Sequence, residues 1–514
     1  EWIDRFKGKF DGGWDAMQVE TTARQRRLGI IPRSAEAASR PEGLPAWSTL
    51  TDEQKRNSAR LMEVYAGFLA HCDAQVGKLI DALKASGEFE NTLLIYVVGD
   101  NGASGEGGIY GSVNYVGAYQ FMPETDAVRS AQIGQMGGPS TNTHMPAGWA
   151  WGLNAPFPWM KTVASHLGGT RNGMVITWPK AIGQSASGGL RSQFGHVNDI
   201  MPTVLEATGL TAPTVLDGIA QKPIDGTSLI YSFSDPKAPE RHRTQYFEVF
   251  GNRAIYSDGW MAAANHGRKP WNVVMQSNRK FEDDRWELYN LSADFAGTRD
   301  IAANNPAKLA DLRALFDREA ERNNLLPLKN VIVATGLPSL GQARTSVTFH
   351  AGATAIPASA LPPTVARSWK VEADLDAGPG SAGVVAALGG GAGGWSIFLK
   401  PDGTPAATYR LFNIQTLELS AGKPLTPGAH KLALTFTYDG GGFGKGGMLR
   451  FSVDGETAGE GHLQASPIAG FTLDDPFSVG IDSGSQVGPY PAEQMLGYAF
   501  RGGQIGGVTL STGK

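Results

Sequence analysis

The chain reads as α/β: part of a doubly wound mixed sheet, then a small α+β subdomain, then an antiparallel β-sandwich. Three observations predict this. Helix and buried-strand signatures alternate through roughly the first 225 residues. Short strands replace them from about 226 and close on one helix near Leu328. Beyond a Gly/Pro-bearing stretch, strand-like runs alternate strictly between apolar and polar residues, with no helical period. The expected divisions are 1–225, 226–330, a linker at 331–344, and 345–514.

In order, residues 1–50 carry Trp, Pro and Arg irregularly, like a long surface connection. A helix follows in which Thr51 and Gln54 fit a capping box. Leu61, Tyr65, Phe68, Cys72, Val76, Leu79 and Leu83 form one apolar stripe at spacings of three and four, and Gly87 sits where a C-cap belongs. The run Asn91-Thr-Leu-Leu-Ile-Tyr-Val-Val-Gly-Asp100-Asn101-Gly102 reads as a strand buried on both faces and closed by turn residues. Residues 102–160 lack periodicity, and a loop of this length is expected to be functional. A second buried strand is expected at Gly173-Met-Val-Ile-Thr-Trp-Pro and a helix at Val197–Thr208, where Pro202 is tolerable only in the first turn. The subdomain strands are Gln245–Phe250, Arg253–Tyr256, Gly259–Ala263 and Trp286–Leu291. Its helix has Asn305 as cap, Pro306 first, and Leu309, Leu312 and Phe316 on one face. In the sandwich, Trp369-Lys-Val-Glu-Ala-Asp-Leu-Asp and Lys431-Leu-Ala-Leu-Thr-Phe-Thr-Tyr alternate, and Pro401-Asp-Gly and Asp454-Gly455 mark turns.

Composition excludes some functions. A formal charge of −4 and a pI near 6.2 leave no footprint for nucleic acid. No apolar run approaches the ~20 residues of a membrane span, so a soluble chain is expected. The single cysteine excludes an internal disulfide. Cys72 lies on the apolar helix stripe, where a packed thiol is expected. The start, Glu1-Trp-Ile-Asp-Arg-Phe-Lys, is charged and lacks an initiator Met, so the chain is expected to be cut from a longer one. Periplasmic, secreted and cytoplasmic locations are all compatible with it.

Chemistry gathers at two places. Asp100 and Asn101 follow a predicted strand, where open α/β sheets place their sites. A carboxylate beside an amide oxygen suits Ca²⁺ or Mg²⁺, although the same pair can form a plain Asx turn. Some sixty residues on comes Lys161-Thr-Val-Ala-Ser-His166-Leu-Gly168-Gly169-Thr-Arg171. Its glycines suit close backbone approach to an anion, and its cations suit neutralising one.

Taken with Lys7-Gly-Lys-Phe-Asp, Met62-Glu-Val-Tyr-Ala-Gly, Gly148-Trp-Ala-Trp, His196-Val-Asn-Asp-Ile-Met-Pro-Thr, Asp225-Gly-Thr-Ser-Leu and Trp286-Glu-Leu-Tyr-Asn-Leu, these stretches resemble a type I sulfatase. The likeness is to bacterial arylsulfatases of the alkaline phosphatase-like superfamily, and it covers residues 1 to about 328 in the family's order. The sandwich is similar to concanavalin or laminin-G domains. The resemblance implies sulfuric ester hydrolysis of a small-molecule or glycan sulfate. It makes Asp100 and Asn101 two of four side-chain ligands of a Ca²⁺ ion, and Lys161 the lysine on the sulfate and ester oxygen. His166 would line the sulfate pocket or support its loop. The implied nucleophile is a formylglycine from a Cys/Ser-x-Pro/Ala-x-Arg motif, which occurs nowhere in the 514 residues. The family's first two metal aspartates, its Lys-x-His pair and a further histidine would lie ahead of Glu1. The chain is therefore expected to be the C-terminal part of a sulfatase, silent alone and weak in metal affinity.

Two other readings stand beside this one. A phosphodiester or phosphonate monoester hydrolase of the same superfamily shares the metal chemistry but calls for more positive charge. A glycan-binding module would use Trp369, Trp395 and Tyr490 for stacking, unless those side chains form the core. Tyr110, Tyr115, Tyr119 and Trp149–Trp151 of the long loop are expected to shape a pocket for the organic group.

Overall fold

The computed structural model describes residues 1–513 except 121, 123, 184–187, 273–276, 331–343, 413, 473–474 and 492–496. Nearly all of the expected linker therefore lies outside the described residues. The chain forms two compact units. One comprises 1–111 and 145–333, the other 112–144 and 334–514.

The first unit opens with α1 (Gly13–Arg27) and the long α2 (Asp52–Ala85). Thr51 caps α2 as expected: its hydroxyl accepts from the Gln54 amide, and the Gln54 side chain accepts from the Thr51 amide. The first half of α2 buries Leu61, Met62 and Val64. Its second half does not continue the stripe into a core: Phe68 is 65% and Leu79 58% exposed. Cys72 shares that half and is exposed, contrary to its expected role as a packing residue. Gly87 follows the helix at φ +81, a conformation glycine adopts without strain.

Strand β1 (Leu94–Val97) is followed by α3 (Ala147–Leu153) and β2 (Met174–Thr177). β2 pairs antiparallel with β1, from Leu94 opposite Thr177 to Val97 opposite Met174. Among the described residues they form a two-stranded sheet, so β1 is only partly buried rather than covered on both faces. Helix α4 (Ile200–Thr208) places Pro202 third, inside the first turn, where the missing N–H would have no intrahelical partner anyway.

The loop tryptophans fill a core instead of a pocket. Trp149 is fully buried and Trp151 nearly so, and Trp149 meets Trp14 and Trp47 with ring centroids 5.7 and 5.5 Å apart. The Trp149 indole donates to the Ser58 carbonyl at 2.9 Å. A Cβ on Gly148 would come within 2.2 Å of the Trp14 ring, so this junction needs glycine.

The subdomain is a four-stranded antiparallel meander, β3 (Thr244–Val249), β4 (Asn252–Ser257), β5 (Trp260–Ala264) and β6 (Trp286–Asn290). Helix α5 (Pro306–Arg322) lays Leu312, Phe316 and Ala320 against Ile255, Ala262 and Leu288. Asn305 does not cap α5 with its side chain, which turns back and donates to the Ile301 carbonyl at 3.0 Å.

The second unit is one large antiparallel sheet. Its longest strand, β8 (Trp369–Gly389), follows β7 (Ser346–Phe349). Residues 369–377 of β8 pair with β12 (Gly428–Tyr438) and β15 (Arg501–Thr512), whereas 383–389 pair with β9 (Gly394–Leu399). Strands β10 (Pro405–Leu411) and β11 (Gln415–Ser420) extend one side. β13 (Lys445–Val453) and β14 (Glu456–Ala465) extend the other. One hydrophobic core joins both halves and contains Trp369, Trp395, Tyr409 and Phe436. Trp369 is 3%, Trp395 0% and Tyr490 8% exposed, so the three aromatics offered for sugar stacking are core residues.

Residues 112–144, expected to line a pocket, belong to this second unit. Val116 enters its core, and the Glu124 carboxylate accepts from the amides of Val113 and Asn114. Gln120 hydrogen-bonds the backbone of Ile468 and Gly470. Tyr115 lies against His144, while the Tyr119 side chain is outside the described residues.

Candidate functional site

The β1–β2 ladder sets the geometry of the site. Beyond the last strand pair, the Val98 amide donates to Gly173 at 2.9 Å and the Gly102 amide to Gly169 at 3.1 Å. Both bonds bring the Asp100-Asn101 turn beside the stretch 169–173 that contains Arg171. The Lys161 amide donates to the Ala103 carbonyl at 3.1 Å, bringing Lys161 to the same place. Asp100, Asn101, Lys161, Glu106, Arg171 and His196 all line one large open cleft within the first unit.

Lys161 sits in a loop held under strain. Trp159 and Thr162 flank it at φ +66 and +75, a region that a β-branched residue such as threonine seldom enters. Asn side chains pin both residues: Asn154 donates to the Trp159 carbonyl at 3.2 Å, and Asn252 to the Thr162 carbonyl at 2.9 Å. Strain of this kind persists only where surrounding contacts over-determine it, and it gathers at functional sites. The Lys161 ammonium pairs with Glu106 at 2.7 Å, and Glu106 also accepts from Ser104 at 3.0 Å.

The paired glycines are demanded by packing. A Cβ on Gly168 would lie 2.3 Å from the Pro158 carbonyl, and one on Gly169 2.3 Å from that of Val163. A Cβ on Gly102 would meet the Gly168 carbonyl. These close backbone approaches hold the Lys161 loop against the Asp100 turn.

His166 lies behind this loop. It is 7% exposed and does not line the cleft. Its Nδ1 is 2.9 Å from the Ser165 hydroxyl, and its Nε2 is 3.2 Å from Glu287 and 3.3 Å from the Tyr289 hydroxyl. Burial works against the Glu287 carboxylate, but hydrogen bonds from His166 and Tyr289 outweigh it and hold the pKa below the ordinary value. Of the two roles anticipated for His166, this geometry favours loop support.

Asp100 and Asn101 are tested as metal ligands by their donor chemistry. Asn101 Nδ2 donates to Asp100 Oδ1 at 2.6 Å, which leaves the other carboxylate oxygen and the amide oxygen for a hard cation. Type and position fit calcium, but two side chains fall short of its usual six to eight oxygens. Among the described residues, no group of three or more His, Cys, Asp or Glu is arranged to hold a metal ion.

Two further cleft residues lie in the sequence motifs: Arg171, read there only among the cations that suit an anion, and His196, which carried no role. His196 accepts from the Asn198 amide at 3.4 Å, and burial lowers its pKa. Behind it the fully buried Asp199 accepts from the amides of His196 at 2.8 Å and Thr227 at 2.6 Å, and from His242 at 2.7 Å. Only the surrounding motif, not residue spacing, could have pointed to this cluster.

Residues 3–210 match the family model described as Sulfatase. That stretch of the chain is thus similar to the sulfatase family. It is 30% identical over 251 residues to an arylsulfatase of Klebsiella aerogenes, covering 49% of this chain and 50% of that one. It is 29% identical over 316 residues to an uncharacterized sulfatase of Schizosaccharomyces pombe, covering 61% and 53%. The chain thus spans about half the length of the curated relatives it matches. The solved structure of Ps i-CgsB aligns at 18% identity and a TM-score of 0.34, over 62% of this chain and 57% of that one, a likeness too slight to argue from. Among the described residues, no helix is long and apolar enough to cross a membrane.

Proposed function

We propose that the cleft is part of a sulfuric ester hydrolase site of the arylsulfatase type, acting on a small-molecule or glycan sulfate. The observation that carries this reading is the junction of Asp100-Asn101 with Lys161 through the backbone bonds at Ala103 and Gly169. Two hard-oxygen ligands and a cation then share one cleft. Lys161 can donate to the bridging ester oxygen and stabilise the departing alkoxide or phenoxide. Glu106 holds its ammonium in place until the substrate supplies a competing anion. Calcium on Asp100 and Asn101 would supply positive charge for the sulfate oxygens. We assign the nucleophile to a formylglycine from a motif that these 514 residues do not contain, so the polypeptide alone is proposed to lack turnover.

The phosphoryl alternative fares less well. A dianionic phosphoryl group calls for surplus positive charge at the reacting centre, and the Lys161 charge joined to the Asp100-Asn101 turn is already matched by Glu106. The test is hydrolysis of 4-nitrophenyl sulfate in calcium buffer. No release above a Lys161→Ala control is expected from this chain, and clear turnover would refute the assignment of the nucleophile elsewhere.

A further inference from the structure

Arg171 is held in a way that the proposed chemistry does not use. Its guanidinium carbon lies 4.2 Å from the Phe295 ring centroid and 5.1 Å from that of Phe157, so the cation rests against two neighbouring aromatic rings. The two rings are themselves 5.7 Å apart by centroid. One of its nitrogens makes a long bond, 3.4 Å, to the Phe295 carbonyl. Among the described residues no carboxylate lies within ion-pair distance of it.

The other cations of the cleft differ. Lys161 is paired with Glu106, and Arg191 donates to the carbonyls of Gly189, Leu190, Ser232 and Phe233. Arg171 alone keeps most of its donors uncommitted while its stem and faces are fixed. It also keeps an exposed edge on the cleft. The crowding of protein around it pushes its pKa down to about 10, through loss of water, so it remains charged at neutral pH.

Its backbone lies in the stretch bonded to the Asp100 turn, and its side chain rests against the phenylalanines. A cation in that place is not a second hand on the reacting sulfate beside Lys161. It is a guanidinium fork held by aromatic contacts in the same cleft. Guanidinium presents paired donors that match planar carboxylate or a sulfate edge, and the aromatic contacts reduce the entropy lost on binding.

We propose that Arg171, held by Phe157 and Phe295, is a subsite for a second anionic group, a sulfate or carboxylate, on a multiply charged substrate. This rests on the cleft being a sulfate-ester site, and it adds a preference for substrates with more than one negative charge.

The experiment compares two aryl sulfates by NMR-detected titration at 0.15 M ionic strength with calcium present. One is 4-nitrophenyl sulfate, with a single charge; the other is 4-sulfooxybenzoate, with a carboxylate opposite the ester. The wild-type chain is expected to bind the dianion about tenfold more tightly, as a charge-assisted pair warrants. Arg171→Gln should erase that preference and leave the monoanion unchanged, whereas Lys161→Ala should weaken both probes equally. An unchanged preference in Arg171→Gln overturns the subsite, and if Lys161→Ala still weakens both, the proposed function survives it. A preference that needs Arg171 but ignores Lys161 keeps the anion subsite and overturns the ester site. Absence of binding by either probe overturns both. Should Arg171→Gln not fold, Arg171→Lys keeps the charge without the planar fork and is expected to lose at least about threefold of the preference. Full retention in that variant overturns the proposal.

Discussion

The Lys161 ammonium lies 2.7 Å from a Glu106 carboxylate oxygen in the cleft wall, so the cation assigned to the ester is met already engaged. A substrate sulfate must compete with that carboxylate. Replacing Glu106 by Gln keeps the shape and removes the competing charge, and it is expected to tighten inorganic sulfate binding by a few-fold. Lys161→Ala is expected to weaken it about tenfold, the scale of one charge-assisted hydrogen bond. Titration calorimetry of both variants checks the two signs.

The Lys161 loop depends on glycines that no side chain can replace. Gly169→Ala would put a Cβ 2.3 Å from the Val163 carbonyl and should cost about 1–3 kcal/mol through forced backbone shift. Gly173 has open space around its Cβ direction, and Gly173→Ala should change stability by less than about 0.5 kcal/mol. Urea denaturation of the two variants tests the contrast; equal losses would show that the loop relaxes freely.

Much of this was legible in sequence, for identifiable reasons. The Thr51–Gln54 box, Gly87 and the strands of the meander follow from local rules, because short-range hydrogen bonds and period decide them. The turn at Asp100 and the lysine at 161 were found because family-ordered motifs mark them. Burial was where local reading failed. The stripe on α2 and the run at 94–97 look like core residues, but Phe68 and Cys72 are exposed and β1 is only partly buried among the described residues. Conversely, Trp149 looked available and is core, since aromatic residues in irregular segments carry no period that shows their direction, whereas Trp369 and Trp395 take the core position that the strand pattern had offered them. The excursion 112–144 was unreadable because its partners, such as Gly470, lie some 350 residues away in sequence.

Cys72 supplies a direct check on that correction. Its exposed position on α2 predicts that the thiol reacts fully with a disulfide reagent in native buffer, at the rate seen in urea. Protection until unfolding would restore the packed assignment.

His242 and His196 should titrate apart. Burial opposes the protonation of His242, but the hydrogen bond and charge of Asp199 prevail and raise its pKa above the ordinary value. His196 is lowered, chiefly by burial. A raised histidine stabilises the fold fully below its unfolded pKa, about 6.5, and loses that contribution as pH rises through the folded value. The depressed His196 acts oppositely, its destabilising effect growing as pH falls below about 6.5. NMR titration is expected to show His242 protonating at the higher pH. Asp199→Asn should bring His242 down and flatten its share of the alkaline loss of stability.

The central claim is that Asp100-Asn101 and Lys161 form one sulfate-handling site that needs a hard cation. Its most direct test is NMR titration of 4-nitrophenyl sulfate into the wild-type chain, Asp100→Ala and Lys161→Ala, each with calcium and with chelator. The account predicts weak binding to the wild type that calcium strengthens, loss of the calcium effect in Asp100→Ala, and weaker binding throughout in Lys161→Ala. Binding that is indifferent to calcium and to both substitutions would contradict it.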